Sequence, residues 1–448
     1  MIRNKNLSWL QHRVIHLNPP QILALGFFSL IMAGTMLLKL PFSTVHPIRW
    51  IDALFTATSA TTVTGLGVVD TGTTFTLFGQ IVILCLIQIG GVGFMSIAIF
   101  VVMTLGKRIG LKQRLMIKEA LNQTSVGGII KLVKRILLIA VSIESVAVIF
   151  LTLRWVPEYG FLKGFYYSVF HVITAFNNAG FSLWPDSLNR YVGDPVVNMV
   201  IALLIIIGGL GFTVLSDLWT SKDFKSLSLH TKLMLAGTLL LIVFGVVMVF
   251  VLEYANPKTI GGLNGPAKYW AAFFQGVTPR STGFSTINFG DMKEPTLLVT
   301  IFLMYIGAGS TSAGGGIKVT TFIVIFLSVI AFITGKNEPV VFGRRIKKET
   351  LSRAFAILVI SQAFIFIGVF ILMITEQAPF IDVLFEIVSA FSTTGASTGL
   401  TANLSMVGKL VVIFNMYAGL IGPLTIFFSL SQRQPSKIQY PGEDILTG

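Results

Sequence analysis

Cysteine and charged residues are both scarce in this sequence, and their scarcity limits the classes of protein to which it could belong. Cysteine occurs once in 448 residues, at Cys85. A single cysteine excludes a disulfide within the chain and a thiolate metal cluster, so we expect Cys85 to be a small buried hydrophobic residue. Charged residues make up 12% of the chain, where a soluble domain has about 25%. The apolar segments contain no HExxH motif, serine–histidine pair or carboxylate cluster that could form an active site within the membrane. This argues against an enzyme.

Long apolar runs are abundant. Hydrophobic residues make up 54% of the chain, and its mean hydropathy is +0.82. Several runs approach or reach the ~20 residues that a helix needs to cross a bilayer. Examples are residues 22–38, 196–215, 234–252 and 354–374. The first run is too long for a cleaved signal peptide. The sequence therefore predicts an all-α polytopic membrane protein in the cell membrane.

The net charge of +14 is unevenly distributed along the chain. Lysine and arginine cluster in alternate connections, whereas the intervening connections carry more acidic residues. The basic segments are the N-terminus, Lys107 to Arg135, Lys222 to Lys232, Lys336 to Arg353, and the tail. The positive-inside rule places these segments and both termini in the cytoplasm, next to anionic lipid. This pattern is a topology signal, and it does not indicate nucleic acid binding.

A motif that ends in glycine occurs four times. A phenylalanine precedes the glycine by ten residues in each copy, and an alanine or threonine stands just before the glycine. We call the last four residues of each copy a glycine segment. The segments are Thr62-Val63-Thr64-Gly65, Asn177-Asn178-Ala179-Gly180, Arg280-Ser281-Thr282-Gly283 and Ser392-Thr393-Thr394-Gly395. Constant internal spacing indicates one structural unit used four times.

Each unit reads as a span, a short half-helix, a glycine segment and a second span. This order predicts eight crossings and four re-entrant half-helices in a pseudo-fourfold arrangement around one pore. The predicted divisions are 1–19 N-terminal segment, 20–105 unit one, 106–131 basic loop, 132–220 unit two, 230–334 unit three, 335–352 basic loop, 353–430 unit four and 431–448 tail. The predicted half-helices are 50–59, 164–176, 268–277 and 380–391. The predicted outgoing spans are 75–105, 196–219, 296–333 and 406–430, each with a small-residue cluster that allows close helix packing.

Four non-helical polar segments inside a bilayer predict an ion path. Such backbone is tolerated only where protein buries it or where it lines a water-filled cavity. Carbonyl oxygens around a common axis could replace the water shell of a cation, and the partly negative ends of the half-helices would stabilise it. The sixteen residues contain no carboxylate, which favours a monovalent ion. We expect Arg280 to turn away and bond backbone, whereas Asn177 and Asn178 could line the path or brace the half-helix.

These motifs resemble the Trk/Ktr/HKT superfamily of potassium transporters, and most of all the membrane subunit of bacterial Ktr systems. The resemblance implies potassium transport through a single-glycine filter, with no covalent cofactor and with Na⁺ as a candidate activator. In that family a serine at the first filter glycine accompanies sodium transport, and Gly65 stands there in this chain. The resemblance also implies a homodimer on a cytosolic nucleotide-binding ring of the RCK type.

The outgoing span of unit three contains a candidate gate. Residues 296–333 would make a helix of about 57 Å, roughly twice a bilayer core. Its middle is rich in glycine, which breaks helices, so we predict a gate loop over 307–318. Its proposed residues are Gly307, Gly309, Ser310, Thr311, Ser312, Gly314, Gly315, Gly316 and Lys318. A static kink is the alternative, and no strand or P-loop spacing supports a phosphate site. The family commonly has an arginine at the position of Leu420, so Lys318 is the remaining candidate for a positive charge.

Two functions remain open at this point. The first is a potassium channel or channel-like uptake subunit, and the second is a sodium- or proton-coupled potassium symporter. Glu144 is the one acid in the middle of a predicted span, so it is either a coupling site or a packed, hydrogen-bonded acid. His171 lies on a half-helix, where a structural hydrogen bond is the expected role.

Overall fold

The computed structural model describes residues 19–93, 129–221, 223–336 and 338–422. The predicted N-terminal segment, most of the basic loop 106–131 and the tail 431–448 lie outside the described residues. The same is true of the predicted outgoing spans beyond residues 93 and 422.

Three kinds of helix recur in the order that the sequence predicts. The entry helices are Pro19–Leu38, Ile129–Tyr159, Leu229–Glu253 and Lys348–Thr375. The half-helices are Trp50–Thr61, Phe161–Phe176, Gly265–Val277 and Phe380–Phe391. The exit helices are Leu77–Val92, Pro195–Leu210, Glu294–Tyr305 and Met406–Ile421. Shorter helices are Thr71–Thr74, Asn189–Tyr191, Phe224–Ser226, Thr278–Arg280, Phe289–Asp291 and Thr401–Asn403. Helices Phe212–Thr220 and Val319–Ile333 follow the second and third exit helices.

The predicted outgoing spans of units one, two and four are interrupted, because their exit helices end at the small-residue clusters. Gly93, Gly211 and Gly422 follow these helices with φ of 93°, 92° and 86°. Residues with side chains rarely adopt this backbone conformation, so glycine at this point ends the helix. In unit two the chain resumes as helix Phe212–Thr220, bent by 93° from the exit helix. In unit three the helix ends at Tyr305, and the predicted break over the glycine-rich stretch is present.

Four helices in the described ranges are long and apolar enough to cross a membrane. They lie within the four entry helices, and the bent pair of unit two would make a fifth span. The exit helices of the other units have 16, 12 and 16 residues. Because these helices fall short of the length that a bilayer requires, the count of eight crossings stays a prediction.

The exit helices approach the half-helices at glycine. A Cβ on Gly90 would lie 2.0 Å from the carbonyl oxygen of Thr61, which is the last residue of half-helix one. The equivalent pairs are Gly208 with Phe176 at 1.9 Å and Gly419 with Phe391 at 1.8 Å. Any side chain would overlap the carbonyl oxygen, so glycine permits this contact. In units one, two and four this contact is made at the last residue of the half-helix.

Phenylalanine residues anchor the half-helices in the protein interior. Phe55, Phe170 and Phe385 are fully buried, and in unit three Phe274 is fully buried beside the half-buried Phe273. Cys85 departs from expectation because it is exposed on its exit helix. An apolar helix in a membrane exposes such residues to lipid, so the apolar surroundings come from outside the protein.

The predicted basic loop 335–352 contains a small hairpin. Val340–Val341 pairs antiparallel with Arg344–Arg345, in the register Val340 opposite Arg345 and Val341 opposite Arg344. Gly343 in the turn has a φ of 70°. This hairpin leads into the entry helix of unit four.

Candidate ion-conduction site

The glycines that end the four glycine segments contact one another in a closed ring. A Cβ placed on any of them would overlap or crowd the backbone of the next unit. The hypothetical distances are 2.1 Å from Gly65 to Ala179 O, 2.6 Å from Gly180 to Gly283 N, 2.3 Å from Gly283 to Gly395 O, and 1.9 Å from Gly395 to Thr64 O. The order of contacts is one, two, three, four and back to one. The structure therefore brings the four predicted glycine segments together.

Three of the segments share an unusual backbone. The residue two positions before the glycine is left-handed in units one, two and four, with φ of 56° at Val63, 61° at Asn178 and 50° at Thr393. Such angles are uncommon for residues with side chains, above all for a β-branched valine or threonine. Unit three differs, because Ser281 at this position has a φ of −166° and follows the turn Thr278–Arg280. Strain retained in three equivalent places marks the segments as a candidate functional site.

Side chains three positions before the glycine bond back to the half-helix. Thr62 Oγ1 donates to Thr58 O at 2.8 Å, Asn177 Nδ2 to Ile173 O at 2.9 Å, and Ser392 Oγ to Val388 O at 2.6 Å. In units one and four the same hydroxyls also contact the threonine just before the glycine. These contacts are Thr62 Oγ1 to Thr64 Oγ1 at 2.7 Å and Ser392 Oγ to Thr394 Oγ1 at 2.8 Å. We call each such contact a hydroxyl clip.

The two asparagines brace their surroundings. Asn177 is 1% exposed and also donates to Gln88 Oε1 at 2.7 Å. The amide of Asn178 is best satisfied when its nitrogen donates to Ala175 O and Ile205 O and its oxygen accepts from Gly209 N. Of the two roles left open by the sequence, bracing accounts for these bonds.

Arg280 turns toward the entry helix of unit three. Its Nη2 lies 3.4 Å from Thr238 Oγ1, and the side chain is 5% exposed. The side chain turns away from the glycine segments, as predicted. The predicted backbone partner is wrong, because the guanidinium contacts a threonine hydroxyl. Its Nε has no hydrogen-bond partner in the described part of the chain.

A residue nine positions before the glycine bonds the serine two positions after the glycine in units two and four. His171 Nε2 lies 3.3 Å from Ser182 Oγ, and its Nδ1 lies 2.8 Å from Tyr167 O. In unit four the Glu386 carboxylate accepts from Ser397 Oγ and, at 2.5 Å, from Thr401 Oγ1. His171 thus has the expected structural role. Glu386, which lies within the predicted half-helix 380–391, is fully buried. Its offset, identical to that of His171, was the available signal.

The glycine-rich loop 306–318 of unit three lies against segments three and four. Gly315 N donates to Thr393 Oγ1 at 2.6 Å. A Cβ on Gly316 would lie 3.1 Å from Ser392, and one on Gly314 would lie 3.4 Å from Ser281 Cβ. The loop closes on itself through a parallel bridge between Ile306 and Ile317.

The other side of the loop is tied to unit two and to itself. Gly309 N donates to Gly209 O at 2.8 Å, and Thr311 Oγ1 contacts Thr213 Oγ1 at 2.9 Å. Thr311 has a left-handed φ of 64°. Three more of the predicted gate residues bond within the loop or to the helix that follows it. These bonds join Ser310 Oγ to Thr320 Oγ1, Ser312 Oγ to Gly309 O, and Lys318 Nζ to Gly314 O. Lys318 therefore bonds the loop's own backbone.

Comparison with known proteins identifies cation transport proteins as relatives of this chain. The family model described as "TrkH: Cation transport protein" matches residues 17–440. A relative named Ktr system potassium uptake protein B, from Bacillus subtilis, is 54% identical over 446 residues, covering 100% of this chain and 99% of the relative. A protein of the same name from Vibrio alginolyticus is 46% identical, covering 96% and 95%. The potassium/sodium uptake protein NtpJ from Enterococcus hirae is 38% identical, covering 96% and 98%.

The fold has a counterpart among solved structures. The potassium transporter TrkH from Vibrio parahaemolyticus superposes with a TM-score of 0.73 and 19% identity, covering 94% of this chain and 86% of that one. Since the family model spans nearly the whole chain and the relatives match it end to end, the chain is a membrane ion transporter and not an enzyme. It belongs to the TrkH family of cation transport proteins, which includes the Ktr proteins.

Proposed function

We propose that this protein takes up potassium across the cell membrane, with a single ion losing its water among the four glycine segments. The observation that carries the proposal is the closed ring of contacts from Gly65 through Gly180 and Gly283 to Gly395. Polar backbone from four units meets there without any carboxylate in the segments. The potassium in the names of the relatives from Bacillus and Vibrio supports the choice of ion.

Backbone carbonyls are the best candidates for ion ligands. In units one and four the hydroxyl clips occupy the threonine and serine side chains, which bond one another and the half-helix. The left-handed residues Val63, Asn178 and Thr393 change the direction of successive carbonyl groups within the segments. Rings of carbonyl oxygens are the known device for coordinating a dehydrated potassium ion.

The loop 306–318 is the proposed gate. Its backbone bonds Thr393 directly, and its Gly314 and Gly316 lie next to segments three and four. Non-helical backbone at membrane depth is tolerated where it lines a cavity, which is the setting that a gate requires. Leu420 stands where the family commonly has an arginine, and Lys318 is bonded within the loop. The closed state would therefore depend on backbone bonds of the kind made by Gly315.

A second chain would operate the gate. The relatives are named as proteins of a Ktr system, which supports a cytosolic regulatory subunit. We propose a homodimer that docks on a nucleotide-binding ring of the RCK type, with both termini in the cytoplasm. The basic hairpin at Arg344–Arg345 and the loop 106–131 would face that ring or anionic lipid.

A sodium- or proton-coupled symporter is the second candidate. The name of the Enterococcus relative joins potassium with sodium, which favours sodium as the coupling or activating ion. The two candidates differ in their energetics. A coupled symporter moves the second ion in fixed proportion to potassium, whereas a channel-like subunit responds only to the gradient of the ion that it conducts.

Rescue of potassium uptake tests the proposal. The chain would be expressed, with and without a ring-forming partner, in cells that lack their own potassium uptake systems. We expect growth at low potassium and saturable K⁺ uptake, and both should be stronger with the partner.

Gly65→Ser should weaken the preference for K⁺ over Na⁺, because a Cβ there would lie 2.1 Å from Ala179 O and shift the segments. Unchanged preference in this variant would count against the site. Sodium uptake that accompanies potassium in fixed ratio would select the symporter.

A further inference from the structure

Unit two holds its glycine segment differently from units one and four. In units one and four a threonine precedes the glycine and completes the hydroxyl clip. Unit two has Ala179 at this position, which has no hydroxyl group. The segment keeps the bond from Asn177 Nδ2 to Ile173 O, but it needs another partner to fix the side chain.

That partner is a relay of three side chains, which lie on the exit helix of unit one, on the entry helix of unit two and in glycine segment two. Asn177 Nδ2 donates to Gln88 Oε1 at 2.7 Å. Gln88 Nε2 in turn donates to the Glu144 carboxylate, at 3.2 and 3.4 Å from its two oxygens. Gln88 lies on the exit helix of unit one and Glu144 in the middle of the entry helix of unit two. Acidic residues at this depth are costly in a membrane and are retained for a function.

The carboxylate gives the relay a direction. Both Glu144 oxygens accept from the Gln88 NH₂ group, so Gln88 presents its oxygen to Asn177. Asn177 must then present its own NH₂ group, which also reaches Ile173 O. Its oxygen lies over Gly91, without a hydrogen-bond partner among the residues that the structure describes. A neutral amide at position 144 could donate or accept, and it would leave Gln88 free to turn over.

We propose that Glu144 is a positioning residue for the ion site: acting through Gln88, it fixes the orientation of Asn177 and so the shape of glycine segment two. This inference rests on the proposed function, because its readout is the discrimination between potassium and sodium. Glu144 replaces, from a neighbouring helix, the hydroxyl clip that Thr64 and Thr394 supply within their own segments. Asn177 stands at the start of the segment, so a change in its bonds moves the backbone that would face the ion.

Exchange of the acid and the amide tests the relay. Initial rates of K⁺ and Na⁺ uptake would be measured in the rescued cells for the full chain. We expect Glu144→Gln to lower the ratio of K⁺ to Na⁺ uptake by about twofold to tenfold, the range for one lost buried hydrogen bond. The double variant Glu144→Gln with Gln88→Glu should restore the ratio. A carboxylate at position 88 still only accepts, so Asn177 keeps its orientation, while the amide at 144 donates to position 88.

A second single variant tests the relay even if the Glu144→Gln protein does not accumulate in the membrane. Gln88→Met leaves the acid in place and interrupts the relay, so it should lower the ratio to a similar degree. An exchange variant as poorly selective as Glu144→Gln, or a Gln88→Met variant as selective as the unaltered chain, would overturn the relay while the proposed function stands. Absence of selective K⁺ uptake by the unaltered chain would overturn both.

Discussion

Lys409 Nζ lies 2.7 Å from Asp52 Oδ1 and joins the last unit of the chain to the first. Lys409 belongs to the exit helix of unit four, and Asp52 lies in the first turn of half-helix one. Both side chains are 12% exposed, so the pair is largely removed from solvent. The bond lies between the same two units that close the ring of glycines through Gly395 and Thr64.

Loss of one partner of this pair should destabilise the protein. Removing one member of a buried ion pair leaves the other charge uncompensated, at a cost of about 3 kcal/mol. We expect Lys409→Met and Asp52→Asn each to lower the midpoint of thermal unfolding in detergent. The double variant should recover part of the loss, because neither charge is then left alone. Additive losses in the double variant would show that the two residues do not interact.

Gly90 should not tolerate a methyl group. A Cβ there would lie 2.0 Å from Thr61 O, so Gly90→Ala must push the exit helix away from half-helix one. Overpacking of this kind costs about 1–3 kcal/mol. Gly265→Ala is the matched control, because a Cβ at Gly265 has no atom within 4 Å. Thermal unfolding of both variants measures the difference, and equal midpoints would contradict the close contact.

Thr393 should hold the gate loop in place. Gly315 N donates to Thr393 Oγ1, and Thr393→Val removes that acceptor with little change in shape. We expect K⁺ uptake without the regulatory partner to rise about fivefold, as for the loss of one buried hydrogen bond of about 1 kcal/mol. Thr393→Ser keeps the hydroxyl and should behave like the unaltered chain. Uptake by Thr393→Val that stays fully dependent on the partner would rule out this contact as a restraint.

Deletion of Gly314 to Gly316 should open the path more fully. The three residues lie against Ser281, Thr393 and Ser392, so their removal clears the space next to segments three and four. We expect K⁺ uptake in the absence of a partner to exceed that of Thr393→Val. The amount of protein in the membrane must be matched between variants. Uptake no greater than that of the unaltered chain would remove the gate proposal.

The sequence predicts the repeat well because its signals are local. Fixed spacing from phenylalanine to glycine located the half-helices, whose observed C-terminal ends differ from prediction by at most two residues. The breaks at Gly93, Gly211 and Gly422 were missed, because a glycine in an apolar run reads equally well as a close helix contact. Only the backbone angle distinguishes the two roles.

Contacts between units could not be predicted from spacing. Gln88 and Asn177 are 89 residues apart, and nothing in either local sequence points to the other. The partner of Arg280 was wrong for the same reason, because Thr238 lies on a helix 42 residues earlier. The burial of Glu386 could not be predicted, because its partners Ser397 and Thr401 lie beyond the half-helix and only the fold brings them to the carboxylate.

The contact of Gly395 with Thr64 O has a consequence for biosynthesis. The ribosome makes the first glycine segment early and the fourth near the end, so segment one lacks one of its two neighbours through most of translation. A truncated chain without unit four would leave polar backbone unpaired inside the bilayer, which is costly. The contact that closes the ring of glycines therefore forms only after unit four has been made.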